Sequence, residues 1–461
     1  MNAMASDIQN TKSFFGELVN KMKHSHAFLS IVLVATAALA CIITTASQAV
    51  AQVDDFVVDG IHVLLEPTKA NQIVAVVVGI EGGFGRMETD NPALPAMMAA
   101  VTTSSGSDFM SKSQYREALS RLVTTIDART GRFDTKYLLS CVKPKLAESW
   151  KIFASVLQHP LYDQEEFARL REQAVSDIAG RHADPEGSTR FVIDSIWTQS
   201  LAIWRPAQIK DVNSVTIDQL KAYHDKELER SRMTVVVVGD VSRDEITRMI
   251  HSSFASIPKG NYVREPYATV AGLATTDLVV DNRVVPTAYI YGRFLAPPRR
   301  DPIFWPLVMG GFVLDDRLYE EVRTKRNLSY SPHSYVTGNN GKYFGQLSVS
   351  TTMPDSTMHV MNREFAKIRE DGITSKELKD RRAEFITEYY MSQQSNIAVA
   401  VQLYTTLLET GDWHRALTVI KDVNAVSLGD VKTAMRKYLH DIYWVAVGDR
   451  SKMTRTDFLF H

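Results

Sequence analysis

The feature that most constrains the fold of this chain is an internal duplication. The segment Asp211–Thr216 (DVNSVT) recurs as Asp422–Ser427 (DVNAVS), an offset of 211 residues. The apolar run Val235–Asp240 recurs as Trp444–Asp449 at an offset of 209 residues. Solenoid repeats have periods of about 20 to 50 residues, so this much longer spacing indicates two homologous halves of about 200 residues each.

Each half has the same order of predicted elements. Short β-rich runs open it, several helices with apolar residues at helical spacing follow, and a strand ending in Gly-Asp closes it. This order predicts an α+β fold of two tandem homologous domains, each a mainly antiparallel sheet with helices packed on one face. The Pro- and Gly-bearing polar stretch 258–266 separates the halves. We therefore predict domains at residues 52–260 and 267–461.

Length and composition exclude several classes of protein. A chain of 461 residues exceeds what one hydrophobic core usually supports, which agrees with the two predicted halves. The 52 Lys and Arg residues are balanced by 53 Asp and Glu residues, so the total charge gives no indication of nucleic-acid binding. Two cysteines cannot form a disulfide framework.

The first 51 residues are predicted to be a secretory signal peptide. Lysines precede an apolar run from Ala27 to Ile43, and the small-residue sequence Ala49-Val-Ala51 follows. This order is typical of an export signal, with cleavage after Ala51 and a periplasmic or secreted product. The apolar run also approaches the length that spans a membrane, so the alternative is an uncleaved N-terminal anchor.

The mature chain resembles the pitrilysin/insulinase-type zinc peptidases, especially the bacterial members that are similar to the mitochondrial processing peptidase. The resemblance covers nearly all of the mature chain and depends on the order, spacing and duplication of several segments. These are Gly82–Arg86 (GGFGR), the helix after Pro92, Ser111–Leu119 (SKSQYREAL), His159–Asp163 (HPLYD), Arg323–Tyr330 (RTKRNLSY) and the two terminal Gly-Asp strands. It implies an inverzincin fold, in which two such chains or their fused equivalent enclose a chamber.

The zinc motif of that family is missing from this chain. The family signature H-x-x-E-H places two zinc-binding histidines one helical turn apart, with a glutamate that activates water between them. On the corresponding helix the histidine positions fall on Ala96 and Ala100, and the glutamate position falls on Ala99. The distal glutamate position falls on Asp177. Because alanine cannot bind a metal, we predict no metal, no cofactor and no catalytic residue in this chain.

A second family pattern is present. In paired bacterial members, the subunit that lacks zinc contributes an arginine and a tyrosine from the pattern R-x-x-R-G-L-x-Y. Here Arg323 and Tyr330 match that pattern, while Asn327 replaces its glycine. Asparagine tolerates a positive φ, so we expect the turn to be kept. The resemblance implies that Arg323 and Tyr330 bind substrate; the alternative is that Arg323 pairs with Glu320 and that Tyr330 is a half-buried strand residue.

The resemblance implies a non-catalytic, substrate-positioning subunit of a heterodimeric zinc peptidase that acts on unfolded peptides. Its partner would be a subunit of the same family with an intact zinc motif, and the peptide would add as a strand to an exposed sheet edge. Activity is expected only with that partner. The alternative is a stand-alone, non-enzymatic homodimer that binds peptides or serves as a scaffold.

Overall fold

The computed structural model describes residues 52–83, 91–199, 205–263, 275–339 and 342–459. The predicted signal peptide lies outside these residues, as do positions 84–86 of the Gly82–Arg86 segment and positions 264–266 of the predicted linker. None of the described helices is long and apolar enough to cross a membrane.

The first sheet has six strands in the order β1-β2-β6-β3-β5-β4. Only β2 and β6 are parallel, and the other neighbours are antiparallel. The strands are β1 (Asp54–Val58), β2 (Ile61–Pro67), β3 (Ile73–Glu81), β4 (Thr125–Thr130), β5 (Asp134–Val142) and β6 (Met233–Gly239).

The second sheet has five strands in the order β7-β11-β8-β10-β9. Here β7 and β11 are parallel, and the other neighbours are antiparallel. The strands are β7 (Asp277–Asn282), β8 (Ala288–Leu295), β9 (His333–Asn339), β10 (Lys342–Thr351) and β11 (Tyr443–Gly448). Apart from the additional β1, the two sheets have the same strand order, so the prediction of mainly antiparallel sheets in duplicate is confirmed.

Helices cover both sheets. Those that precede β7 are α1 (Leu94–Ser104), α2 (Lys112–Leu122), α3 (Leu146–Gln158), α4 (Gln164–Ala183), α5 (Pro185–Gln199), α6 (Ile209–Ser214), α7 (Ile217–Glu227) and α8 (Arg243–Phe254). Those that follow β8 are α9 (Phe304–Leu318), α10 (Pro354–Glu370), α11 (Ser375–Ser392), α12 (Asn396–Thr410), α13 (Arg415–Ala425) and α14 (Leu428–Tyr438). In this order α9 to α14 repeat the positions of α1 and α3 to α7.

The two halves exchange one helix each. Helix α12 packs on β3 and β6 of the first sheet, where Leu403 and Tyr404 are buried against Val77 and Val236. Its counterpart α5 packs on β8 and β11 of the second sheet through Ile193. The prediction that helices cover one face of each sheet therefore omitted this second layer. A sheet that is buried on both faces needs continuous apolar strands, and Val74–Val78 (VAVVV) is such a strand.

Candidate functional site

Helix α1 carries the residues at the positions of the missing zinc motif. Ala96 is exposed, Ala99 is buried and Ala100 is half-buried. Asp177 is an exposed residue of α4, and its Oδ1 accepts a hydrogen bond of 2.8 Å from Gln173 Nε2. A cavity of about 480 Å³ lies between α1, α4 and α5, and both Ala96 and Asp177 line it. The structure thus brings together two of the four positions that the sequence aligned with the zinc site.

These residues do not fit a zinc ion. A structural or catalytic zinc site needs about three or four protein ligands that offer nitrogen, sulfur or carboxylate oxygen. At the four aligned positions Asp177 is the single side chain with such an atom. In the described part of the chain, no three His, Cys, Asp or Glu side chains are grouped so that they could hold a metal ion.

The second candidate region lies at the end of α9. This helix continues into a π-helical turn, Tyr319–Thr324, in which Lys325 N donates to Glu320 O at 2.9 Å. A π-turn is rare and is often associated with functional sites. The turn ends at Asn327, whose φ is +51°, a conformation that asparagine tolerates better than most residues. The expectation that asparagine keeps this turn in place of glycine is confirmed.

Arg323 lies against Tyr330. Its Nη1 donates a hydrogen bond of 2.9 Å to the backbone oxygen of Tyr330. Its guanidinium lies 4.0 Å from the centroid of the Tyr330 ring and 4.9 Å from that of the Tyr319 ring. A cation over the face of an aromatic ring is attracted by the negative charge of that face, so both contacts are favourable. Tyr330 is nevertheless 77% exposed, so its hydroxyl is open to a ligand.

The alternative interpretation of this pair does not match the structure. Glu320 lies 3.7 Å from Lys325 Nζ, and the contacts of Arg323 among the described residues are with the two tyrosines. Tyr330 is also far more exposed than a half-buried strand residue, and β9 begins only at His333. The assignment of Arg323 and Tyr330 to substrate binding stays a prediction.

Glu321 fixes this turn to the rest of the second half. Its carboxylate accepts hydrogen bonds from Lys325 Nζ at 2.7 Å, Arg326 Nη1 at 2.7 Å and Arg363 Nη2 at 3.0 Å. The hydrogen bonds from Lys325 and Arg326 lower the pKa of Glu321 to about 2, so it is ionised at neutral pH. Because Arg363 belongs to α10, the network connects the turn to a neighbouring helix. Glu321 was not predicted from the sequence, although Lys325 and Arg326 follow it by four and five residues.

Comparison with known proteins matches part of the chain to a family. Residues 214–385, which include the Arg323–Tyr330 turn, match the family model of the peptidase M16 inactive domain. The M16 peptidase family is thus the family that this part of the chain matches. This is the pitrilysin/insulinase-type family that the sequence motifs predicted. The coarser part of the predicted function, that of an inactive peptidase homologue, is also confirmed.

The curated relatives carry two kinds of name. An uncharacterized zinc protease of Mycobacterium leprae is 22% identical over 344 residues, which cover 72% of this chain and 77% of that protein. The non-peptidase homolog YmxG of Helicobacter pylori is 19% identical over 309 residues, which cover 65% of this chain and 71% of that protein. Both identities are too low to transfer an activity to this chain.

Solved structures share the fold. The peptidase M16 inactive domain from Pseudomonas fluorescens matches with a TM-score of 0.77 and 20% identity, covering 86% of this chain and 98% of that one. The periplasmic protease PqqL from Escherichia coli matches with a TM-score of 0.73 and 15% identity, covering 86% of this chain but 46% of that one. In fold, this chain therefore matches about half of PqqL.

Proposed function

We propose that this M16 chain is the non-catalytic, substrate-positioning subunit of a heterodimeric zinc peptidase that acts on unfolded peptides. The observation that carries the proposal is the turn at Arg323 and Tyr330, which holds an exposed tyrosine in a fixed position. A partner with an intact H-x-x-E-H motif supplies the zinc, the water and the general base. This chain supplies part of the chamber wall and the groups that orient the peptide.

Arg323 and Tyr330 have complementary roles in this proposal. A guanidinium has five N–H donors, and one of them is used in the hydrogen bond to the backbone of Tyr330. The remaining donors can bind a peptide carbonyl or carboxylate as a planar fork. The hydroxyl of Tyr330 donates to the peptide backbone or to the oxygen that gains negative charge during hydrolysis.

The sheet edges offer a place for an extended peptide. Strand β4 is an edge of the first sheet, and exposed and half-buried residues alternate along it. It lies beside α1, since Thr130 Oγ1 donates to Pro95 O at 3.5 Å. Strand β9 is an edge of the second sheet and begins three residues after Tyr330. A peptide that adds to either edge gains backbone hydrogen bonds independently of its sequence, which suits a chamber for unfolded chains.

The half-length match to PqqL supports a partner of similar size and fold, because this chain covers only one of the two halves of that protease. We also propose that the pair works outside the cytoplasm. This part of the proposal depends on the export signal in residues 1–51 and is tested by determining the N-terminal residue of the mature protein.

Co-expression with a zinc-bearing M16 subunit from the same source tests the proposal. We expect the two chains to co-purify and to cleave a pool of unstructured peptides, while neither chain cleaves alone. Arg323→Ala should lower kcat/KM of the pair by about 10-fold or more, since it removes both the stacking and a charged donor. Tyr330→Phe should lower it by about 5- to 10-fold, the effect of one hydrogen bond.

Two variants serve as matched controls. Arg248→Ala removes an exposed arginine from α8, and Tyr390→Phe removes the hydroxyl of an exposed tyrosine on α11. Both should leave kcat/KM unchanged. A zinc-bearing subunit that is fully active alone would contradict the proposal. A stable homodimer that binds peptides, with no effect of Arg323→Ala on the paired enzyme, would favour the stand-alone binding protein.

A further inference from the structure

Two cavities lie at equivalent places in the two halves. Each is bounded by an edge strand of its sheet, by the strand next to that edge, and by the helix that the other half supplies. The first, of about 520 Å³, lies against β4, β5 and α12. The second, of about 640 Å³, lies against β9, β10 and α5. Because the surrounding elements correspond, differences between the cavities reflect their side chains.

The first cavity is lined by positive charge and is called the cationic cavity below. Among the described residues, its charged lining side chains are Arg129, Lys136 and Arg299, and none of them is acidic. The other polar groups are the hydroxyl and amide side chains of Ser392, Gln393, Gln402 and Thr405. Leu138, Ile397 and Val401 form an apolar part of the wall.

The acidic partners of two of these cations lie behind the wall. Lys136 Nζ is 2.5 Å from Asp134 Oδ2, and Arg299 Nη1 is 3.9 Å from Glu409 Oε2. The side chains of Asp134 and Glu409 are completely buried and do not line the cavity. A ligand in the cavity therefore meets Lys136 and Arg299 before the buried carboxylates that balance them. The third cation, Arg129, has an exposed partner, since its Nε lies 3.7 Å from Asp127 Oδ2, and Asp127 does not line the cavity.

The equivalent cavity of the second half has the opposite character and is called the acidic cavity. Glu186, Asp315, Glu384 and Glu388 line it, together with Arg190 and Arg381. Both arginines are already paired within the cavity, Arg190 with Glu186 at 3.1 Å and Arg381 with Glu384 at 2.6 Å. The two homologous halves thus contain equivalent cavities whose lining side chains have opposite net charge.

We propose that the cationic cavity binds a carboxylate of the peptide, either the C-terminal carboxylate or an acidic side chain. The inference deepens the proposed function, since it names the part of the peptide that this cavity selects. The guanidinium groups of Arg129 and Arg299 and the ammonium of Lys136 are the donors that carboxylates prefer. The apolar part of the wall accommodates the aliphatic portion of the same residue.

Peptide binding to the full chain tests the proposal without any catalytic partner. The probe is a fluorescent, unstructured peptide of Gly, Ala and Ser in three forms: a free C-terminus, a C-terminal amide, and an amide with a penultimate Glu. We expect the amide to bind about fivefold more weakly than the free acid, as expected for one partly exposed ion pair. Recovery of binding by the Glu form identifies the acidic side chain as a source, and no recovery identifies the C-terminus alone.

Arg129→Gln should abolish the difference between acid and amide. The side chain of Arg129 is 67% exposed, so its replacement should not affect folding. Glu388→Gln in the acidic cavity and Arg248→Gln on α8 are controls that should keep the difference. Equal binding of acid and amide, or a difference that survives Arg129→Gln, would overturn the inference and leave the proposed function intact. Failure of all three peptides to bind would contradict both.

Discussion

The two halves of the chain have the same architecture but different chemistry. The strand orders agree, and each sheet is covered on its second face by the equivalent helix of the other half. In the first half the positions of the zinc motif are alanines, of which Ala96 lines a cavity. In the second half the end of α9 carries an arginine, a tyrosine and a network of charges. The packing is thus shared by both halves, while the ends of α1 and α9 carry different side chains.

The difference appears where the first long helix of each half ends. Helix α1 ends at Ser104, and its last turn carries no basic residue. Helix α9 continues as a π-turn that Glu321 connects to α10. A fixed turn can hold an exposed side chain in one orientation, whereas the alanines at the zinc-motif positions of α1 offer no polar group. The comparison can be tested with three sets of variants.

The largest effect is expected from the exchanged helix. Leu403→Ala on α12 should lower the free energy of unfolding by about 3 kcal/mol, because it leaves a cavity against the first sheet. Leu417→Ala on α13, where the side chain is 41% exposed, should change it by less than about 0.5 kcal/mol. Urea denaturation measures both. Similar effects of the two variants would show that α12 does not stabilise the first sheet.

A smaller effect is expected at the positions of the zinc motif. Ala99→Glu introduces a larger, charged side chain at a buried position and should destabilise the chain by about 2 kcal/mol. Ala96→Glu places the same side chain at the exposed position of α1 and should have little effect. The two variants are compared by urea denaturation. If Ala99→Glu were as stable as Ala96→Glu, this part of α1 would still have room for the family's glutamate.

The smallest effect concerns the charge network of the second half. Ionised Glu321 stabilises the turn above its ordinary pKa of 4.5, and this contribution is lost as the pH falls towards about 2. Wild type should therefore exceed Glu321→Gln in stability by less than about 1 kcal/mol at pH 7, since the partners are exposed and solvent screens them. The difference should disappear on acidification.

Thermal unfolding at several pH values measures this difference. Asp380→Asn is the control, because Asp380 lies in an exposed pair with Lys376 on α11 and should contribute little at any pH. A difference between wild type and Glu321→Gln that grew at low pH would show that the carboxylate does not stabilise the turn.

Much of the fold could be predicted because it depends on local patterns. The duplication, the strands of β3 and β6 and the long helices follow from apolar spacing, and the family follows from several short motifs. The exchange of α5 and α12 could not be predicted from spacing, because an apolar helix such as Asn396–Thr410 can pack on either sheet. Valine-rich strands are typical of a sheet that is buried on both faces, but they do not indicate which helix covers the second face.

The candidate site was predictable in part for the same reason. Arg323, Tyr330 and the turn at Asn327 lie within eight consecutive residues, so their arrangement follows from a short motif. The stacking of Arg323 on two tyrosines depends on how the π-turn curves, and the contact between Glu321 and Arg363 joins residues 42 positions apart. Pairings over such a distance depend on the packing of α10, which one sequence does not specify.

The exchanged helices affect how the protein is made on the ribosome. The strands of the first sheet are complete once Gly239 has been synthesised, but α12, which covers their second face, follows only at Asn396–Thr410. At about 5–20 residues per second, this interval lasts on the order of 10 s. During that time Leu64, Val77 and Val236 have no covering helix. The nascent chain therefore exposes an apolar surface to which chaperones can bind. A chain that ends before α12 leaves this face of the first sheet uncovered.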